Sequence, residues 1–221
     1  MKKYKIFWIS FAVVVAVVAI ICAIFCPKRV YTAQELGISV IQSERDADGD
    51  GIDDLTDLML GARAYIETKP IYMSRYYDGG YPTDGYGVCT DVIWQAFDAA
   101  GYKLKDLVDA DIQANLAAYP DADPDPNIDF RRVCNLDVFF SRWAQTLPTD
   151  TWDPSQWQAG DIVTIDGHIT ICSDKRNRAG IPYLIHHASS GVREADDLSD
   201  YLAQHAVVGH YRWIPRDTPL E

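Results

Sequence analysis

Two β-branched runs, Asp161–Ile165 and His168–Cys172, are separated only by Asp166-Gly167. A two-residue Asp-Gly loop supplies the positive φ angles of a tight turn and reads as an antiparallel hairpin. Tyr183–Ala188 and Val207–Ile214 are further strand candidates. Upstream the period is helical. Leu55, Leu58, Met59, Ala62 and Tyr65 share one face, as do Val92, Ile93, Ala96, Phe97 and Ala100. Helices are also expected over Lys105–Ala118 and Leu136–Thr146, the second with Asn135 as N-cap and with Phe139, Phe140 and Trp143 turned inward. Tyr119–Asp129 reads as a surface loop. Helices first and strands later predict an α+β fold, with helices packed on an antiparallel sheet.

The 221-residue chain has room for one ordinary domain plus an anchor. Ile6 to Cys26 is apolar except for Ser10, long enough as a helix to cross a bilayer of about 30 Å. Lys2, Lys3 and Lys5 precede it, with Lys28 and Arg29 behind. Together with the amino group they favour an inside N-terminus and an outside domain. A cleaved signal peptide is the alternative, but the core is long for one and no small-x-small site follows. The expected organisation is a transmembrane signal anchor over 1–27, a stalk with an acidic loop over 28–54, and a domain over 55–221. A net charge of −12 argues against a nucleic-acid partner.

Two of the five cysteines lie in the anchor, leaving Cys89, Cys134 and Cys172. An odd count makes no disulfide framework, and no two are spaced as zinc ligands. Cys134 and Cys172 are expected to be buried packing residues. Cys89 differs, because it follows a glycine turn and opens a helical pattern. Unpaired N–H groups and the positive end of the helix dipole favour its thiolate, the nucleophilic form. His168 opens a strand, and His186 and His187 lie on the next. Thiol, imidazole and a polar group fixing the imidazole tautomer are the three parts of nucleophilic acyl transfer. Adjacent strand residues face opposite sides, so only one of His186 and His187 can meet His168.

This order resembles the NlpC-type cell-wall cysteine peptidases, a compact branch of the papain-like fold. The corresponding stretches are Tyr77-Asp78-Gly79-Gly80, Cys89-Thr90-Asp91, His168-Ile169-Thr170-Ile171 and His187-Ala188-Ser189. More specifically, the chain resembles the bacterial family called domain of unknown function 1287. The hallmarks are GVCTDVIWQAF from Gly87, DPNIDFRRVCNL from Asp125, GDIVTIDGHITICSD from Gly160, IHH from Ile185 and GHYRW from Gly209. The resemblance spans roughly Thr56 to Pro215. It implies Cys89 as nucleophile, His168 as general base and acid, and His187 as the orienting residue, with His186 its rival. His187 departs from the asparagine frequent at this place in the family. Tyr77, Arg131 and Arg132 are candidate substrate-binding residues, the arginines through paired N–H donors to a carboxylate; structural roles are the alternative for each. The implied activity is a thiol hydrolase cleaving an amide bond of cell-wall stem peptides outside a bacterial membrane, without a cofactor. A catalytically idle cell-wall binding module and a thiol acyltransferase are the alternatives.

Asp46-Ala47-Asp48-Gly49-Asp50-Gly51-Ile52-Asp53-Asp54-Leu55-Thr56-Asp57 has the spacing of a calcium loop. Asp46, Asp48, Asp50, the Ile52 carbonyl, Asp54 and Asp57 are the candidate ligands of a structural calcium. A solvated acidic linker that caps the following helix is the competing reading.

Overall fold

The computed structural model describes residues 29–120 and 123–216, together with Val15. The expected anchor, apart from Val15, lies outside the described residues; among the described residues no helix is long and apolar enough to cross a membrane. The described residues from Tyr31 onward form one compact unit.

Helix α1 (Asp54–Glu67) is followed by two short strands, β1 (Ile71–Tyr72) and β2 (Tyr86–Gly87), which pair in parallel. Helices α2 (Cys89–Ala99), α3 (Leu104–Ala114) and α4 (Val133–Trp143) come next. Strands β3 (Gln145–Thr146), β4 (Ile162–Ile165), β5 (His168–Arg176), β6 (Pro182–Ala188) and β7 (Gly191–Ala195) follow, then α5 (Leu198–Ala203) and β8 (Val207–Arg212). One antiparallel sheet takes the order β3-β8-β4-β5-β6-β7. The fold is therefore α+β, with helices on an antiparallel sheet as expected. The Asp166-Gly167 hairpin forms, with Ile165 facing His168 across it.

Both faces of the central strands are covered, which is why β4 reads as an unbroken Ile-Val-Thr-Ile run rather than an alternating one. Ile162, Ile169, Ile171 and Ile185 join α1, α2, α3 and α4 in the larger core. Val163, Ile165, Cys172 and Leu184 face the other way, onto Trp157, Leu198 and Leu202. Helix α4 begins three residues before the expected start. Asn135 lies inside it, because its amide is taken up by Asp129 rather than by the helix end. Strand β7 and helix α5 were not foreseen: Gly191–Ala195 is half-buried and lacks a strong apolar alternation.

The segment expected as a stalk is laid on the domain from Tyr31 onward. Tyr31 and Arg176 exchange backbone hydrogen bonds of 2.9 and 2.8 Å, and the Gln158 side chain bonds the Ser39 carbonyl and the Ile41 N–H. Buried Gln158 and the part of β5 beyond its pairing with β4 need these partners. Asp54, expected as a metal ligand, is occupied at the start of α1. Its Oδ1 accepts the Ala47 N–H at 2.8 Å and its Oδ2 the Tyr102 hydroxyl at 2.5 Å.

Gly160 joins α1 to the sheet. Its φ is +84°, and a Cβ there would sit inside the contact radius of the Leu55 carbonyl oxygen. Gly160→Ala combines a left-handed backbone with an overpacked backbone contact. It is expected to lower unfolding free energy by about 2–4 kcal/mol in urea denaturation. A loss under about 1 kcal/mol would mean that this approach is not rigid.

Candidate active site

The start of α2 is held by one carboxylate. Asp91 Oδ2 accepts the Val88 N–H at 2.7 Å, pairing the free donor before the helix. Its two oxygens also receive Arg131 Nε at 2.7 Å and Arg131 Nη2 at 2.9 Å, while Oδ1 takes the Trp94 indole N–H at 2.8 Å. Gly87, two residues before Cys89, lets the Tyr65 hydroxyl approach; a Cβ there would collide with it. Cys89 is thereby set at the first helical position, 4% exposed.

Hydrogen-bonded pairing between β5 and β6 ends at Ile171 and Ile185. Beyond that point the Ile169 N–H is directed at the Cys89 sulfur, and the backbone N–H groups of Thr90 and Cys89 also favour its thiolate. Burial outweighs these donors, and the thiol is pushed above its ordinary range.

The imidazoles divide between the two sheet faces. His168 Nε2 and His186 Nδ1 are 2.9 Å apart, and His186 Nε2 is 2.9 Å from Asp197 Oδ2. Arg193 Nε donates to the same Asp197 oxygen at 2.9 Å. Burial, then the neighbouring His186, pushes His168 down to about 4; burial also lowers His186. Both are neutral near pH 7, and the tautomers follow from the partners. Asp197 can only accept, so His186 carries its proton on Nε2 and accepts at Nδ1. His168 donates from Nε2, which leaves a lone pair on His168 Nδ1. A neutral imidazole held in one tautomer by a second polar group is the arrangement of a general base.

The partner of His168 is thus His186, not His187. His187 faces the helices, as strand alternation requires, with Nδ1 2.8 Å from the Tyr65 hydroxyl and its ring edge-on to Tyr72. Its Nε2 is buried without a hydrogen bond. Among the described residues no hydrogen bond joins the Cys89 thiol to an imidazole, and His168 shares the sheet face of its partner Ile165, away from the core that holds Cys89.

The three residues expected to bind substrate are engaged elsewhere. Arg131 is buried against Asp91 and donates from Nη1 to the Arg75 carbonyl, so no fork remains for a substrate carboxylate. Arg132 pairs with Asp129. The Tyr77 hydroxyl donates to Asp84 at 2.7 Å. Cys172 is buried as expected, but Cys134 is exposed, because the earlier start of α4 turns it outward. His210 is structural: it stacks on Trp157 at 3.8 Å and shares Asp161 with Arg212. No feature of the sequence singled out Asp197 or Tyr65.

Residues 59–213 match the family profile described as "Domain of unknown function (DUF1287)". The chain is also similar to the "Uncharacterized protein YijF" of Escherichia coli (strain K12), with 40% identity over 167 residues, 70% of this chain and 79% of that protein. No solved structure matches.

The lowered His168 pKa gives a signed expectation. The unfolded chain takes up this proton near pH 6.5, the folded one only near 4. The stability contribution is therefore whole above about 6.5 and lost as pH falls toward 4. Lowering pH from about 7 to about 4.5 should reduce the melting temperature of the wild type more than that of His168→Gln. Parallel melting curves for the two proteins would contradict a desolvated imidazole.

Proposed function

The chain belongs to the DUF1287 family, and from that premise we propose that it is a thiol hydrolase of the papain-like, NlpC type that cleaves an amide bond. The observation that carries this reading is the run His168–His186–Asp197, which begins one residue from the N–H facing the Cys89 sulfur. His168 lies with Ile165 on the sheet face away from α2, so its ring turns through the opening between β5 and β6 for Nδ1 to take the thiol proton. The sulfur attacks the amide carbonyl, and the backbone N–H of Cys89 faces the resulting oxyanion. The imidazolium then protonates the leaving amine, giving a thioester. Water, deprotonated by the same imidazole, releases the acid and restores the thiol. Asp197 and His186 position the base; His187 and Tyr65 support the sheet under the helix start.

The substrate we propose is a cell-wall stem peptide, reached by a domain held outside the bacterial membrane by the 1–27 anchor. Resemblance to the NlpC-type peptidases and the charges flanking the apolar run support this. An idle binding module on the same fold is the second reading. It draws on the 4% exposure of Cys89 and its raised thiol pKa.

Incubation of purified peptidoglycan with variants separates the roles. Cys89→Ala is expected to abolish release of new amines, and His168→Ala to lower it by about 10²–10⁴-fold. His186→Ala should lose about 10²-fold, with partial rescue in His186→Asn, whereas His187→Gln should stay within about tenfold. An inactive His187→Gln beside an active His186→Ala would overturn the assignment. Alkylation by iodoacetamide distinguishes enzyme from binding module. In a Cys134→Ser background, which removes the exposed thiol, the enzyme reading predicts that iodoacetamide alkylates Cys89 near neutral pH faster than Cys172. Equal inertness would favour the module.

A further inference from the structure

The acidic loop before α1 is not used by the proposed chemistry, and one of its members is out of place for a solvated linker. The carboxylate oxygens of Asp46, Asp48 and Asp50 lie within 4.8 Å of one another, all on exposed residues. Eleven residues after Asp46 in sequence, in the first turns of α1, Asp57 is 6% exposed and its Oδ2 is buried with no hydrogen-bond partner. A buried carboxylate oxygen left unpartnered costs free energy on the order of 1–3 kcal/mol. The charges that act on it most strongly are also acids, those of Asp50, Asp48, Asp46 and Asp53. The three clustered carboxylates and the unpartnered Asp57 Oδ2 are groups that one cation would relieve.

We propose that Asp46, Asp48, Asp50, the Ile52 carbonyl and Asp57 form a binding site for one divalent cation, of the calcium class. Hard oxygen donors and the absence of histidine or cysteine select calcium over a transition metal. Asp46 accepts only the loop's own Gly49 and Gly51 N–H groups, whereas Asp53 lies outside the cluster, with Oδ1 accepting the Ser43 N–H and Oδ2 the Thr56 hydroxyl. Asp54 is bound to Ala47 and Tyr102 and likewise stands outside the set. The ligands therefore come from loop positions 1, 3, 5, 7 and 12, counted from Asp46. The bound ion ties the loop to the N-terminal end of α1. On its other side the loop rests on Gly101, where an added Cβ would press on Asp48. The ion's role is to brace residues 31–53 against the domain.

The test is titration of the full chain in detergent, stripped by a chelator, with calcium chloride by calorimetry and thermal melting. One ion per chain is expected, with a Kd between about 1 µM and 1 mM and a melting temperature that rises with calcium. Asp48→Asn and Asp50→Asn lie on the surface and should fold. Each is expected to weaken binding at least about tenfold while leaving the calcium-free melting temperature unchanged or higher, because a repelling charge is gone. Asp57→Asn should behave the same way. No heat and no shift at about 10 mM calcium would overturn the proposal. So would binding that is unaltered in both Asp48→Asn and Asp57→Asn.

Discussion

Asp91 is the point on which the candidate site depends. It joins the backbone before α2 and the Trp94 indole, each three residues away, to Arg131 from the turn before α4, forty residues on. Arg131 in turn holds the Arg75 carbonyl in the segment leading away from β1. Charge-assisted, bidentate bonds of this kind fix direction as well as distance. Cys89 stands two residues before this carboxylate, so the sulfur inherits its position from the ion pair. Because the pair is buried, removing one partner leaves an uncompensated charge, a much larger loss than that of a surface bridge.

The sheet contributes the second half of the site by ending its own pairing. Strands β5 and β6 are hydrogen-bonded as far as Ile171 and Ile185. Past that point the Ile169 N–H turns to sulfur and the two imidazoles meet across the opening. Alternation then sorts adjacent histidines by face, His186 to His168 and Asp197, His187 to Tyr65. Neutral imidazoles suit this dry setting, since desolvation penalises the charged form and no acid touches His168 directly.

Several of the family's hallmark stretches serve as scaffolding. The aspartate after Gly160 and the histidine and arginine of the GHYRW stretch form one buried network, with Trp157 stacked on His210. Arg131 serves the helix start rather than a ligand. The acidic loop divides in the same way, with Asp53 and Asp54 holding the entry to α1 and Asp46, Asp48 and Asp50 drawn together ahead of it.

The sequence by itself determined the elements whose period is strong: the Asp-Gly hairpin, the helices carrying Leu58 and Phe97, the antiparallel sheet, and Cys89 at a helix start. These are local, set by turn chemistry and by which residues recur on one face. It also showed that only one of two neighbouring histidines could face His168. Which one it is depends on strand register and on what covers each face, and those are settled by contacts far apart in sequence. Tertiary structure alone decided for His186, brought in Asp197 from beyond β7, exposed Cys134 and occupied Arg131. It also buried Asp57 among other acids. Pairings of this kind are free energies of proximity between distant segments, and no local pattern encodes them.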